Sequence, residues 1–359
     1  MSWKSGRFGP AINELTEFDN RTVKTRNTQQ WNLDEDYNTH QLSPGAIDKL
    51  TALDTTSFLV IKDQKIIFEK YWAPTESTTV LNSFSVAKSI VCTLIGIAIK
   101  DKLLRLDDPV ARYLPSFAKP VKDKITIEHL LRMTSGLKWI ESESSALSHN
   151  AEAYYGRSLE SLINNLEVRR PPGQVFRYAS GNTQILAMLL TKVTKMTLSE
   201  YASKKLWSPI GAQQDAFWNL DRPNGLEKAF CCFYATAKDF ARIGQLYLND
   251  GRWQDQQIIS SEFIDQVLQP SNMPDIWLNK PNDVYGMHWW LAKHAELDFF
   301  YARGIRGQYI ICNRELNMII VRMGHRRNPV DRHHGHPPDL FDHINAGLEI
   351  ITSSPAIAP

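Results

Sequence analysis

The sequence lacks the features that mark several classes of protein. Its 41 Lys and Arg stand against 39 Asp and Glu, so no excess charge favours nucleic acid or an anionic membrane as a partner. The longest apolar run, Ile90–Ile99, is about ten residues and is too short to span a bilayer. No apolar run near the start has the length of a signal peptide. These absences predict a cytoplasmic protein that acts on a small molecule.

Cysteine is also scarce. The four cysteines are Cys92, Cys231, Cys232 and Cys312, and no two of them have the C-x-x-C spacing of a metal or redox site. Neighbouring cysteines such as Cys231 and Cys232 suit neither an ordinary disulfide with each other nor a zinc site. We therefore predict that all four are reduced and buried, as is usual in the cytoplasm.

Several catalytic signatures are missing as well. There is no G-x-S-x-G elbow, no H-E-x-x-H element and no glycine-rich phosphate loop. The histidine cluster His333-His334-Gly335-His336 lies in a loop rich in Pro and Arg, without Asp, Glu or Cys ligands at fixed spacing. We predict a solvated loop there, and a protein that needs neither a metal nor an organic cofactor.

Apolar periodicity predicts strands near both ends of the chain and helices between them. Residues Ser57–Trp72 form two apolar runs around a polar turn, which indicates a hairpin. Residues Ser85–Lys102 are apolar nearly all round, which is typical of a buried helix. Further helices are predicted at 159–165, 182–193, 198–206, 237–248 and 340–351, and antiparallel strands at 287–292, 298–302, 308–312 and 318–323.

This order of elements predicts an α/β (α+β) fold. An antiparallel sheet built from both chain ends would be flanked by helices and would carry a mostly helical inserted domain. We place an irregular N-terminal arm at residues 1–45, the α/β domain at 46–88 and 285–359, and the helical domain at 89–284. The active site would lie between the two domains.

An S-x-x-K pattern occurs three times, and only one occurrence opens a helix. The three pairs are Ser85/Lys88, Ser116/Lys119 and Ser135/Lys138. The second pair is flanked by prolines and the third contains a glycine typical of a helix end, so no helix holds their geometry. Ser85 instead begins the long apolar helix, where positions i and i+3 share a face.

That location suits the chemistry of a nucleophilic serine. A serine hydroxyl needs a base to take its proton, and a lysine amine can do so only when it is neutral. Burial and the positive end of the helix both favour the neutral amine. We therefore predict Ser85 as the nucleophile, Lys88 as its partner and the backbone N–H of Ser85 as one oxyanion donor.

Together with two later segments, this motif resembles the serine β-lactamase-like hydrolases. That family includes class C β-lactamases, D-Ala-D-Ala peptidases, esterases and the 6-aminohexanoate-dimer hydrolases. The segment His129–Leu137 matches the one that follows the nucleophile helix, and Tyr178-Ala179-Ser180 matches the Tyr-x-Ser or Tyr-x-Asn motif. The residues around 285–290 and 303–310 resemble the aminohexanoate-dimer hydrolase and esterase branch most.

The resemblance implies roles for residues beyond the S-x-x-K pair. Tyr178 would take the proton from Ser85 and pass it to the leaving group, with Lys88 lowering the pKa of the phenol. Ser180 would face the same cleft and Asn182 would brace it, and we carry both as substrate-binding candidates. A loop tyrosine would contact the substrate amide, and Tyr154 and Tyr155 both lie in the right region. We carry Tyr155 forward as the substrate-binding candidate.

The chain departs from the family at the third motif. Gly304-Ile305-Arg306-Gly307-Gln308 stands where relatives have Lys-Thr-Gly or His-x-Gly. The resemblance implies that Ile305 and Gly307 lie beside the substrate and that the backbone N–H of Gln308 is the second oxyanion donor. A cation that penicillin-recognising members point at a substrate carboxylate is missing, which favours an ester or small linear amide over a β-lactam.

We therefore predict a serine hydrolase, a carboxylesterase or amidase, that acts through an acyl-enzyme on Ser85. A β-lactamase or D-Ala-D-Ala peptidase is the enzymatic alternative, and an inactive penicillin-binding-like scaffold is the alternative that is not an enzyme. Whether Lys88 or Tyr178 is the base in acylation stays open, because coupled groups titrate as a pair. The physiological substrate and the assembly state also stay open, a homodimer being the option we carry forward.

Overall fold

A computed structural model describes residues 9–142 and 145–353. The strands in that part of the chain are β1 (Asn20–Val23), β2 (Asn32–Leu33), β3 (Thr55–Lys62), β4 (Lys65–Tyr71), β5 (Leu81–Asn82), β6 (Ala216–Asn219), β7 (Phe233–Ala235), β8 (Arg252–Trp253), β9 (Gln256–Gln257), β10 (Pro274–Asp275), β11 (Lys280–Pro281), β12 (Trp290–His294), β13 (Leu297–Gly304), β14 (Gln308–Asn313) and β15 (Met318–Gly324). The α-helices are α1 (Pro44–Ala52), α2 (Ala87–Lys100), α3 (Ile127–Leu131), α4 (His149–Tyr155), α5 (Leu159–Asn164), α6 (Ser180–Thr194), α7 (Leu198–Ala202), α8 (Ala237–Leu248), α9 (Ser261–Val267) and α10 (Asp339–Thr352).

Seven strands form the central sheet, in the order β12-β13-β14-β15-β3-β4-β2. Strands from the two ends of the chain meet where β15 pairs antiparallel with β3, Met318 lying opposite Lys62. The residues of β14 and β15 are all buried, because α8 packs on one face of the sheet and α1 and α10 on the other. This architecture confirms the predicted α/β fold, while the domain boundaries stay a prediction.

Helix α2 lies in the main hydrophobic core, as its sequence predicts. Its residues from Ala87 to Ala98 are buried. Gly96 allows a close approach to α9, since a Cβ atom there would lie 2.5 Å from the ring of Phe263. Among the residues the structure describes, no helix is both long and apolar enough to cross a bilayer.

The N-terminal arm differs from the irregular segment that we predicted. Strand β1 pairs antiparallel with β6, and β2 pairs in parallel with β4 at the edge of the central sheet. The backbone oxygen of Ile12 also accepts a hydrogen bond from the N–H of Asn82, three residues before Ser85. The described part of the arm therefore belongs to the fold and contacts the segment that carries the nucleophile.

The prediction of four reduced cysteines was wrong for one pair. Cys231 and Cys232 form a disulfide with each other, whereas Cys92 and Cys312 are free and buried. The chain turns sharply at this pair, since Cys232 has a φ of 65°, in the left-handed region. The sequence-based expectation assumed ordinary backbone geometry, in which neighbouring cysteines do not meet.

Candidate active site

Ser85 lies in a 3-10 turn, Phe84–Val86, immediately before α2. Phe84 has a φ of 46°, which a bulky residue adopts only when its surroundings impose it. Two hydrogen bonds impose it here. The N–H of Phe84 donates to Oδ1 of Asn82 at 2.9 Å, and the N–H of Ser83 donates to the carbonyl of Phe233 at 2.8 Å. The turn thus fixes where the Ser85 hydroxyl points.

Lys88 meets Ser85 as the i, i+3 spacing predicts. Its Nζ lies 2.9 Å from Oγ of Ser85 and 2.9 Å from the carbonyl oxygen of Phe230. Lys88 is only 1% exposed. Nζ donates to both oxygens, and its distance to Oγ is short enough for a proton to pass between the two groups, as general acid-base catalysis requires. The same amine lies 5.1 Å from the centre of the Tyr178 ring.

Tyr178 is held by aromatic rings beside this pair. Its ring centre lies 5.5 Å from that of Trp290 and 5.8 Å from that of Tyr285, the latter edge to face. Tyr178 and Ser85 line the same large cleft. The structure therefore brings together the three residues that the sequence predicted to be catalytic.

Ser180 also lines the cleft, and it is bound to a carboxylate that the sequence analysis missed. The backbone N–H and the hydroxyl of Ser180 donate to Glu141 at 2.7 and 2.8 Å. Nδ2 of Asn150 donates to the same carboxylate at 2.7 Å. No motif marks Glu141, because only the tertiary fold brings it to Ser180, 39 positions later.

Asn182 is not among the described residues that line the cleft, so a bracing role fits it better than a contact with substrate. It is 1% exposed, and its Oδ1 accepts a hydrogen bond from the hydroxyl of Ser135 at 2.7 Å. Its Nδ2 contacts Sδ of Met133 at 3.3 Å. One turn of helix after Tyr178, the side chain points inward. Asn182 therefore joins α6 to the segment that follows α3.

The end of β13 reaches the nucleophile through a glycine. A Cβ atom on Gly304 would lie 2.3 Å from the backbone oxygen of Ser83, so only glycine permits this approach. Gly304 and Ile305 both line the cleft. Ile305 is therefore the first residue after β13 whose backbone can face a substrate at Ser85.

The predicted positions of Gln308 and Gly307 were wrong. Gln308 already lies on β14, is 0% exposed and donates through Nε2 to the carbonyl of Gly324 at 2.7 Å. Gly307 makes room for Arg322, whose Nη1 would lie 2.1 Å from a Cβ atom there. Neither is among the described residues that line the cleft. The chain turns at 305–307, which carries both residues one strand away from Ser85.

Tyr154 and Tyr155 lie side by side in the cleft, with ring centres 4.8 Å apart. Tyr154 is buried, and its hydroxyl donates to Glu14 of the arm at 2.9 Å. Tyr155 is half-buried. Because its ring is the more accessible of the two, Tyr155 fits the role of a substrate contact better than Tyr154.

A buried histidine, His288, lies beside the helices that carry the site residues. The ring nitrogens of His288 lie 2.9 Å from Oγ1 of Thr183 and 2.9 Å from the carbonyl oxygen of Leu131. Burial lowers the pKa of His288 to about 3, so the ring is neutral at pH 7. The His288 carbonyl accepts a hydrogen bond from the hydroxyl of Ser89 at 2.6 Å. His288 therefore connects α2, which carries Lys88, to α6.

The histidine cluster is only partly the solvated loop that we predicted. His333 and His334 are exposed, and Nδ1 of His334 lies 2.7 Å from Asp331. His336 is buried instead, and its Nδ1 lies 2.7 Å from the hydroxyl of Tyr301. Within the described ranges, no three His, Cys, Asp or Glu side chains are grouped as metal ligands would be.

Comparisons with known proteins identify the fold as that of the serine β-lactamase-like hydrolases. The family model described as Beta-lactamase matches residues 45–343, and the chain belongs to that family. The chain is 24% identical over 328 residues to the 6-aminohexanoate-dimer hydrolase of Paenarthrobacter ureafaciens, which covers 86% of this chain and 82% of that protein. This assignment agrees with the predicted enzyme class, a serine hydrolase.

Solved structures show the same fold. A protein of Bacillus anthracis, proposed to be a 6-aminohexanoate-dimer hydrolase, aligns with a TM-score of 0.78 at 20% identity, covering 96% of this chain and 97% of that one. A family VIII carboxylesterase aligns with a TM-score of 0.67 at 18% identity, covering 89% and 99%. Both matches cover most of the chain.

Proposed function

We propose that this protein hydrolyses an ester or a small linear amide through an acyl-enzyme on Ser85. The observation that carries the proposal is the 2.9 Å contact between Nζ of Lys88 and Oγ of Ser85, beside Tyr178 and open to a cleft. A nucleophile, a proton acceptor and room for a substrate thus occur together.

In acylation, Oγ of Ser85 attacks the substrate carbonyl carbon and its proton moves to the Lys88–Tyr178 pair. The carbonyl oxygen becomes an oxyanion, which the backbone N–H groups of Ser85 and Ile305 would stabilise. The bond to the leaving group then breaks, and the same pair returns the proton to the departing alcohol or amine. Water repeats these steps on the acyl-enzyme and frees Ser85.

The substrate class follows from the third motif and from the relatives. The lysine of the Lys-Thr-Gly motif of penicillin-recognising enzymes is absent, because Ala302-Arg303-Gly304 precedes Ile305, and a curated relative is a hydrolase of the 6-aminohexanoate dimer, a linear amide. Ser180, bound to Glu141, and Tyr155 would contact the bound substrate. The alternatives are a β-lactamase or D-Ala-D-Ala peptidase, and an inactive penicillin-binding-like scaffold.

Labelling separates these readings. A fluorophosphonate probe should modify Ser85, detected by mass spectrometry, and should leave Ser85→Ala unmodified. A panel of p-nitrophenyl esters, linear amides and nitrocefin then ranks the substrates. Faster turnover of nitrocefin than of any ester would favour the β-lactamase reading. No adduct on Ser85 and no turnover would favour the scaffold.

Location and assembly complete the proposal. We retain a cytoplasmic location and a homodimer from the sequence analysis, together with catalysis that needs no cofactor. The Cys231–Cys232 disulfide removes one argument for the cytoplasm, namely that all four cysteines are reduced. Fractionation of cells and the mass of the protein in solution test these two points.

A further inference from the structure

Arg303 presents a cation to the cleft close to the proposed catalytic residues. It is the last but one residue of β13 and precedes Gly304, which abuts the loop that carries Ser85. Its guanidinium carbon lies 3.6 Å from the centre of the Trp290 ring, and that ring packs on Tyr178. A stack of arginine, tryptophan and tyrosine thus leads from the cleft to the proposed proton-transfer group.

The guanidinium is held in place without a carboxylate partner in the described part of the chain. Nη1 of Arg303 donates to the carbonyl oxygen of Gly335 at 3.3 Å, and the Trp290 ring supports its flat face. Arg326, which lines the same cleft, differs because its Nε lies 2.8 Å from Asp54. Arg306 is bonded to the carbonyl oxygens of Pro10 and His325.

The groups that surround Arg303 do not neutralise it. Tyr301 and His336 face it from β13 and from the loop after Gly335, and Tyr285 from the segment before β12. Burial is the main cause that raises the pKa of Tyr301 to about 12, and it lowers that of His336 to about 3. These side chains are therefore neutral at pH 7, and the hydrogen bond between Tyr301 and Arg303 does not bring a negative charge to the guanidinium.

We infer that Arg303, supported by Trp290, binds a carboxylate of the substrate. The inference rests on the proposed function and narrows its substrate class to esters or linear amides that carry an anionic group within reach of the scissile bond. A guanidinium binds a carboxylate through two parallel hydrogen bonds, which fix orientation as well as charge. Arg303, two residues before Ile305 on β13, would thus supply a cation where the lysine of Lys-Thr-Gly is absent.

A matched pair of substrates tests the inference. The mono-p-nitrophenyl ester of glutaric acid carries a carboxylate, and its methyl ester does not. In Arg303→Gln we expect kcat/KM for the anionic ester to fall about 10- to 100-fold, mainly through KM, while that for the neutral ester changes less than about threefold. Arg303→Lys should restore part of the loss, because it keeps the charge but not the two-point geometry.

Arg326→Gln is the matched control, since it removes a cleft arginine that already has a carboxylate partner. It should change both esters by less than about threefold. Equal losses for both esters in Arg303→Gln would overturn the inference, because they would assign Arg303 a structural role. A wild-type enzyme that prefers the neutral ester would overturn it as well.

Binding tests the subsite even where turnover is absent. Calorimetry with Ser85→Ala should show that glutaric acid monoamide, at pH 7, binds at least about tenfold more tightly than its methyl ester. Adding Arg303→Gln should abolish that difference. Equal affinities in Ser85→Ala would refute the carboxylate subsite, whereas failure of the proposed hydrolysis shows separately, as absence of fluorophosphonate labelling on Ser85.

Discussion

The cleft has a proposed reacting part around Ser85 and a proposed recognition part around Arg303. The two parts differ in the hydrogen bonds that their polar groups make within the protein. Around Ser85, polar atoms are bonded to one another, as the contacts of Lys88 with Ser85 and Phe230 at 2.9 Å show. Around Arg303, the guanidinium is positioned by the Trp290 ring, the carbonyl of Gly335 and the side chain of Tyr301, without a carboxylate partner in the described part of the chain. Groups that react need fixed geometry before the substrate arrives, whereas groups that recognise a substrate keep bonding capacity in reserve.

The largest effect is expected from removing the nucleophile. Ser85→Ala should lower kcat for ester hydrolysis at least about 10⁴-fold, because nothing else in the site can form the acyl-enzyme. Ser116→Ala is a matched control, since it alters another S-x-x-K serine, one whose hydroxyl bonds to Asn164. It should retain wild-type kcat. If the two variants were comparably active, the reacting part around Ser85 would not be the catalytic site.

Removing the hydroxyl of Tyr178, the proposed proton carrier, should lower kcat less than removing the nucleophile does. Tyr178→Phe keeps the ring that packs on Trp290 and loses only the hydroxyl, so we expect kcat to fall about 10²- to 10⁴-fold. Tyr155→Phe, which alters a recognition tyrosine, should change kcat less than about tenfold. Stopped-flow and steady-state rates measure both. If kcat fell more in Tyr155→Phe than in Tyr178→Phe, Tyr155 rather than Tyr178 would be the tyrosine that takes part in the reaction.

A methyl group added at Gly304, which lies between Arg303 and the turn that carries Ser85, should lower kcat. In Gly304→Ala the new Cβ would lie 2.3 Å from the Ser83 backbone oxygen, so the nucleophile turn or β13 must shift. A displacement of about 1 Å costs on the order of 10²-fold in rate. Gly45→Ala is the control, because nothing lies within 4 Å of its Cβ position. Unchanged kcat in Gly304→Ala would show that catalysis does not require the close approach of β13 to the Ser83 backbone.

Low pH should lower the free energy of unfolding, because His288, which is buried beside the reacting part, is neutral in the folded chain. The pKa of His288 is lowered from 6.5 to about 3, so between those values the unfolded chain binds the proton and the folded chain does not. The contribution to stability is complete above pH 6.5 and falls as the pH drops towards 3, by an amount on the order of 4 kcal/mol at most.

The matched variant isolates that contribution. His288→Gln should be less stable than wild type at pH 7, because it gives up a fitted pair of hydrogen bonds. Between pH 6.5 and pH 4, however, its free energy of unfolding in urea should fall less steeply. His336, whose pKa is also lowered to about 3, leaves part of the slope in both proteins. Parallel pH profiles for variant and wild type would contradict the role given to His288.

The reacting part could be predicted from sequence because its determinants are local. Ser85 and Lys88 share one turn of helix, and the apolar residues of α2 reveal that helix. Tyr178, by contrast, was predicted only through the resemblance of Tyr178-Ala179-Ser180 to a family motif. The sheet was predictable for a similar reason, since each strand shows apolar residues between turns. Local spacing and periodicity therefore predict the fold and the contact between Ser85 and Lys88.

The remaining determinants arise from contacts between distant segments. Glu141 meets Ser180 only in the folded chain, and His288 joins two helices that are far apart in sequence. The error at Gln308 has another cause, because the sequence does not show whether the chain turns before or after Ile305. Arg303 was likewise invisible, since one arginine in a strand has no signature until a ring and a cleft surround it.

The disulfide between Cys231 and Cys232 has a practical consequence for anyone who handles this protein. It lies between two carbonyl groups that hold the reacting part, that of Phe230, bonded to Lys88, and that of Phe233, bonded to the Ser83 N–H. Cys231 also lines the cleft, although both cysteines are buried, so reduction of the bond would act on the wall of the cleft. Storage buffers with dithiothreitol, chosen to protect thiols, would alter the loop beside the active site. Purification and assay are therefore best carried out without such reagents, with a treated sample measured in parallel.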